Sequence, residues 1–553
     1  MRTFCFLLLI CVSACSVRAA QPPEVPPARL FTGPIFVTQD AQVPEARAIL
    51  VDSEGRIQAL YADIPANVDA QTVTLPGALA VPGLHDGHMH IEGLGLKLTG
   101  LDLSGTQSAQ EVRERTRDYI ARHPEAEVIR GFGWDQSLFP GQAFPSGADI
   151  AGLTDKPVYL LRTDGHAAIA NSAALKLARI GSGPPGRGDG SVIRDPDGQP
   201  TGLILDGAVL RMERALPPVA PEELEARLRT ALQAAADVGV TSVHEMGLFG
   251  PVADALLRLQ ETEELPVRVF AYMAGTDFPW LLRNVSWHPR RSRSMGNLEF
   301  MGIKLMIDGA MGSRGAMLLE PYSDDPDNRG HAAYGLLLQR SVYQVAQALG
   351  WQVAVHAIGD EANQLAIRWI EQYPSSSPLP ARVEHAQLLS PADFARFADV
   401  GAVASMQPAH VADDLGWAAD RLGPVRAAGA YAWRSHHAAG AVLAFGSDAP
   451  VSDLRPARGF HAALTRQTPE GDPPEGWYPG QRLDFETTLQ AYTTGPAHAV
   501  GRGASLGRLS PGYRFDVTVF QQDCRLEPSC WLEAEVTATV LDGKVRQVHG
   551  NFP

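Results

Sequence analysis

Pro82-Gly83-Leu84-His85-Asp86-Gly87-His88-Met89-His90 is a short apolar run that ends in a His-x-His pair. Residues two apart on a strand point to the same side, so His88 and His90 face one way. Seven further short apolar runs follow: Thr241 to Glu245, Val267 to Met273, Gly302 to Asp308, Gln352 to His356, Arg382 to His385, Ala402 to Gln407 and Val442 to Asp448. Helix-like stretches such as Glu222 to Val238 and Ser341 to Leu349 separate most of them. That alternation predicts an α/β fold with a parallel sheet, and eight such strands predict a TIM-like (β/α)8 barrel.

One gap is out of proportion. About 150 residues separate the first two runs, too many for a single crossover, so residues 96–215 are expected to form an α/β insertion after barrel strand one. Strand-like pieces at Val128 to Trp134 and Val158 to Arg162 support that division. Outside the barrel, 28–82 and 497–553 both read as short strands and turns, with Asp542-Gly543 a strong hairpin cue. They predict one small β-sandwich module built from both chain ends, leaving 83–95 plus 216–496 for the barrel.

With 553 residues, 45% hydrophobic and 20% charged, the chain is long enough for a barrel plus appended modules. A net charge of -15 argues against nucleic acid as a partner. Residues 1–20 read as an export signal: Arg2, then an apolar run from Phe4 to Val12, too short to span a bilayer. Two endings compete. Val12-Ser13-Ala14-Cys15 resembles a bacterial lipobox, with Cys15 lipidated, and the rival is cleavage after Ala19. The expected location is the periplasm, with membrane contact only through that lipid anchor and the Pro-rich stretch from Gln21 to Pro27 as a tether. Cys524 and Cys530 are either a local disulfide or two buried thiols.

The chemistry gathers at strand ends. His88 and His90 close the first run, His356 the fifth, His385 the sixth and Asp448 the eighth. A β/α barrel collects its catalytic groups at the C-terminal ends of its strands. Imidazole and carboxylate are common ligands for zinc and similar divalent metals.

Together with Val355-His356-Ala357-Ile358-Gly359-Asp360, Val383-Glu384-His385-Ala386-Gln387 and Gly446-Ser447-Asp448-Ala449-Pro450, the His88-Met89-His90 run resembles the amidohydrolase superfamily. More narrowly it is similar to the YtcJ-like branch, amidohydrolase family 3. Gly133-Trp134-Asp135-Gln136, Asp164-Gly165-His166, Asp308 to Gly315 and Ser405-Met406-Gln407-Pro408 extend the likeness. The resemblance implies hydrolysis of non-peptide carbon–nitrogen bonds in a small-molecule substrate, with one or two zinc or similar ions. It implies His88, His90, His356, His385 and Asp448 as ligands, and Asp448 also as general base toward a metal-activated water. It implies Lys304 as a carboxylated bridge between two metals. Alternation does turn Lys304, Met306 and Asp308 to one face, against Ile303, Leu305 and Ile307. The competing reading pairs Lys304 with Asp308 or Asp448.

Weaker candidates surround this set. His244 and Glu245 end the second strand and contact substrate or simply brace one another. Asp164 and His166 in the insertion and Asp308 and Arg314 after the fourth strand are candidate substrate contacts. Trp134 and Asp135 read as pocket wall or subdomain core. His85, an odd number of residues from both members of the pair, is expected to face away from them as a structural residue. Lactone or ester hydrolysis at the same site, and a non-catalytic metal-binding surface lipoprotein, are the rival functions.

Overall fold

A computed structural model describes residues 27–181, 191–262, 265–283 and 296–548. The expected export signal and the lipobox at Cys15 lie outside them. Eight strands form one all-parallel sheet: β1 (Leu84–Met89), β2 (Val240–Leu248), β3 (Arg268–Ala274), β4 (Leu298–Met306), β5 (Gln352–Ala357), β6 (Arg382–His385), β7 (Val403–Met406) and β8 (Val442–Phe445). They neighbour each other in chain order, so the sheet curls round until β8 meets β1. There the loop after β8 takes over the pairing. Asp448 N donates to His88 O at 2.7 Å and His90 N to Ala449 O at 2.8 Å. Gly446 makes that approach possible, since a Cβ there would lie 2.4 Å from His88 N.

The strands sort their side chains as a barrel requires. Val243, Val269, Ile303, Leu305 and Val355 pack into the large core beneath the helices. Met246, Phe270, Tyr272, Met301 and Ala354 fill the interior, with Ala497 and Val500 packed against them. Lys304 and Met306, alternating with Ile303 and Leu305, face the cavity at the mouth.

Two further sheets flank the barrel. One joins the chain ends, in the order Lys544–Val548, Val536–Leu541, Val517–Phe520, Leu79–Pro82, Arg29–Val37, Glu45–Val51, Ile57–Tyr61, with Gln71–Thr74 also paired to Arg29–Val37. Asp542 and Gly543 turn its hairpin with φ of 50° and 70°, the twist a two-residue turn needs. Arg268 at the start of β3 is ion-paired to Asp516 and Asp542 and ties this sheet to the barrel. The other sheet has six strands, from Leu101–Asp102 through Ile129–Trp134, Val158–Arg162, Ala167–Ala170 and Pro200–Leu205 to Ser191–Arg194. The helix Ile91–Thr99 crosses the expected boundary at residue 95. It stays with the barrel because Gly95 lies against the helix Pro221–Asp237, where a Cβ would meet Arg227 O at 2.5 Å. Cys524 and Cys530 are disulfide-bonded. No helix among the described residues is long and apolar enough to cross a membrane.

Candidate metal centre

Six chain segments converge at the barrel mouth. His88 Nε2 and His90 Nε2 lie 3.4 and 3.2 Å from Asp448 Oδ1, and His410 Nε2 lies 3.6 Å from Asp448 Oδ2. The ring of His385 stands 4.8 Å from that of His88 and 4.5 Å from that of His356. Lys304 Nζ is 3.4 Å from His88 Nε2. Two sets of potential ligand atoms are each mutually within 4.8 Å: His88, His90 and Asp448, and His385, His410 and Asp448.

A buried brace aims the first histidine. His88 Nδ1–H donates to Glu384 Oε2 at 2.8 Å, which turns Nε2 to the centre. Arg382, itself fully buried, donates to Glu384 Oε1 at 2.8 Å and to Gly87 O, Ser405 Oγ and Tyr272 OH. His385 Nδ1–H donates to Gln407 Oε1 at 2.9 Å. Asp86 accepts from Ser447 N and Ser447 Oγ and fixes the turn that carries Asp448. Asp448 and His385 both sit at positive φ, 58° and 71°, a strain common where function dictates geometry.

Burial holds the rings of His88, His356 and His385 neutral. His88 is pulled down to about 4 by burial and by Lys304, and burial pulls His356 and His385 well below the ordinary histidine value. Burial would raise Asp448, but the surrounding imidazoles keep its carboxyl well below the usual range. Lys304 is brought down to about 8 by burial. These residues fit a cation. Asp448 Oδ1, His356 Nε2 and His410 Nε2 are buried without a hydrogen-bond partner among the described residues. A neutral imidazole lone pair facing a carboxylate oxygen is repulsive, and a divalent ion between them reverses the sign.

A cavity of about 1440 Å³ opens above the centre, larger than an ordinary small-ligand pocket. His90, Lys304, His356, His385, His410 and Asp448 form its floor, and Asp135, Arg162, Asp164 and His166 from the six-stranded sheet form part of its wall. Arg162 is held by Asp135 at 2.7 Å and Asp164 at 2.6 Å, so its charge is matched. Trp134 is buried in the core of that sheet, with Nε1 donating to Leu160 O.

The other expected residues are placed as follows. His244 lies inside the barrel, where Arg382 Nη1 donates to its Nδ1 at 2.8 Å, and it is absent from the cavity wall among the described residues. Glu245 lines the cavity and accepts from Ile91 N at the start of the helix Ile91–Thr99, and burial raises it to about 7. Asp308 accepts backbone N–H groups of Met317, Ile358 and Gly359, which makes it a brace for two loops. Arg314 turns to Asp324, at 2.9 Å, away from the cavity. His85 does not follow simple alternation. The β1–β2 pairing shifts register twice, and His85 packs inside the barrel, 5.7 Å from His244 and 6.5 Å from Phe270.

Sequence reasoning missed His410, Gln407 as a brace, and the Arg382–Glu384 pair. A signal existed for His410, which stands three residues after Gln407, on the helix Pro408–Asp414 that opens at the end of β7.

The comparisons with known proteins agree with this geometry. A model of the amidohydrolase family matches residues 71–547. The chain is 30% identical to the YtcJ protein of Bacillus subtilis, over 86% of this chain and 90% of that one. It is 26% identical to the N-substituted formamide deformylase of Arthrobacter pascens, over 92% and 96%. Among solved structures, an uncharacterized metal-dependent hydrolase from Pyrococcus horikoshii is similar with a TM-score of 0.74 and 25% identity. That match covers 91% of this chain and 99% of the other.

Proposed function

The chain belongs to the amidohydrolase family, and from that premise we propose that it hydrolyses a non-peptide carbon–nitrogen bond of a small amide-type substrate. The observation that carries the reading is the crowding of imidazoles around one ionised carboxylate, Asp448, beneath an open cavity. N-acyl and N-formyl amines are the first substrates to try, since one relative is an N-substituted formamide deformylase.

In this reading His88, His90, His356, His385 and Asp448 hold one or two zinc or similar ions. When bound, such a metal supplies a water acidic enough to ionise near neutral pH and polarises a carbonyl oxygen. Asp448 takes the proton from the attacking water and returns it to the departing nitrogen. Arg382 and Glu384 keep His88 in one tautomer and one orientation. Lys304 carries a carboxylate derived from carbon dioxide. The sheet of the chain ends serves as a β-sandwich module, and the six-stranded sheet is an insertion after β1 that walls the substrate cavity.

The test is metal analysis of the purified protein together with a screen of N-acyl and N-formyl compounds, repeated on Asp448→Asn. We expect bound divalent metal and turnover by the wild type. The variant should lose about 10²–10⁴-fold in kcat, the usual weight of a general base. A metal-loaded wild type inert across the whole panel would leave the proposal without support, and so would a fully active Asp448→Asn.

A further inference from the structure

The six-stranded sheet sends one histidine to the barrel mouth. Ala167–Ala170 pairs with Pro200–Leu205 so that Ala167 faces Leu205, and His166 and Asp206 therefore leave the sheet side by side. Asp206 N donates to His166 O at 2.8 Å, and His166 Nδ1 meets Asp206 Oδ1, also at 2.8 Å. The second oxygen, Oδ2, accepts from His331 Nε2 at 2.5 Å, on the loop after β4. Asp206 holds this position at φ 46° and ψ -112°, a backbone conformation that L residues seldom adopt. The side chains of His166 and Asp206 are 10% and 4% exposed, whereas that of His331 is 39% exposed.

Two features of His166 repeat those of the ligand cluster. Its Nδ1 is tied to a buried carboxylate at the distance seen for His88 and Glu384, which leaves Nε2 for the cavity that His166 and His356 both line. Its ring centre lies 5.4 Å from that of His356. The neighbouring pairs at the centre span 4.5 Å for His356 and His385 to 6.1 Å for His385 and His410. Two imidazoles sharing one tetrahedral cation at ~2.1 Å place their ring centres about 5 Å apart. A backing carboxylate on the far nitrogen is the usual partner of a metal-bound histidine.

We propose that His166 is a ligand of a second cation, which it shares with His356, with Asp206 and His331 as positioning residues. The site is then completed only when the six-stranded sheet is seated on the barrel. The proposal rests on the hydrolase reading only in that both need a metal at this mouth, and its test reads metal rather than turnover.

Metal-free protein is titrated with Co(II), and the visible spectrum and the equilibrium stoichiometry are followed. The wild type should bind two equivalents. His166→Ala should keep one and weaken the other at least 100-fold. Asp206→Asn, which preserves the imidazole, should weaken that same equivalent about 10–100-fold. A wild type that binds one equivalent overturns the inference and leaves the hydrolase reading standing. So does a His166→Ala protein that binds two as tightly as the wild type. A wild type that binds none overturns both.

Discussion

His88 donates through Nδ1 to Glu384 at 2.8 Å, and neither side chain is exposed to solvent. The carboxylate therefore does two jobs: it fixes the imidazole that faces Asp448, and it matches the buried charge of Arg382. Glu384→Gln keeps the shape but turns an amide N–H toward Arg382 or toward His88. We expect metal affinity to fall about 10–100-fold, with a stability loss of about 3 kcal/mol from the stranded guanidinium. Competition against a chelator of known affinity measures the first and denaturant titration the second. Unchanged metal affinity would show that His88 needs no brace.

The His166–Asp206–His331 clamp gives the metal-free protein a defined pH window. His331 is raised above its ordinary value by its hydrogen bond to Asp206. Burial would lower His166, but the bond to Asp206 and the charges of Asp206, Asp164 and Asp308 together raise it as well. Burial would raise Asp206, yet the two imidazoles hold it below the ordinary carboxylate value of 3.8. A raised histidine contributes stability that is complete below its unfolded value, 6.5, and is lost as pH climbs through the folded value. A depressed carboxylate contributes above 3.8 and loses that contribution as pH falls through its folded value. The clamp thus stabilises most between those limits. The difference in melting temperature between wild type and Asp206→Asn should peak there and shrink on both flanks, and a difference that is flat with pH would contradict the ion-paired clamp.

The barrel was legible because a strand's period of two is a local property. Eight apolar runs gave eight strands, and alternation alone turned Lys304 inward and Ile303 and Leu305 outward. Where pairing is bulged, the same rule failed: the shifted β1–β2 register brings His85 into the interior that counting placed it away from. His410 escaped notice because it lies on a helix, where strand periodicity says nothing of its direction. The approach of His166 to His356 depends on how one sheet seats on another across 190 residues of sequence. No local pattern encodes that packing. Arg314 failed for the opposite reason. Its loop is at the mouth, but Asp324 on the same loop captures the guanidinium.

Trp531 is the anchor between the sheet of the chain ends and the barrel helices. It is fully buried, stacked 4.5 Å from Phe460 and 6.1 Å from Phe485, and edge-on to Phe520 at 5.2 Å. Phe520 ends a strand of the outer sheet, while Phe460 lies on the helix Pro456–Thr465. Trp531→Ala removes a large ring from an aromatic stack whose members belong to different layers, so collapse into the space is restricted. A loss of about 3–5 kcal/mol is expected, read from urea unfolding followed by circular dichroism. A loss below about 1 kcal/mol would mean that the sheet is held mainly elsewhere, with Arg268 and its two aspartates the next group to test.

Lys304 decides how the charge at the centre is balanced. Its Nζ stands 3.4 Å from His88 Nε2, and burial brings it to about 8 against the attraction of Glu384 and Asp448. Only the neutral amine adds to carbon dioxide, and its fraction grows as pH rises through that value: roughly a tenth near pH 7 and most of the group by pH 9. An ammonium left in place would repel a divalent ion, whereas a carboxylated lysine would attract it. Metal and carbon dioxide should therefore bind with positive coupling, each raising the affinity for the other by the same factor. Protein supplied with ¹³C-bicarbonate and Zn(II) should show one carbamate carbon resonance that grows with pH and is missing in Lys304→Gln. Zinc affinity should fall when carbon dioxide is stripped from the buffer. A wild type that binds zinc equally well with and without carbon dioxide, and gives no such resonance, would show that Lys304 stays an uncarboxylated amine and that the histidines and Asp448 would hold the metal without it.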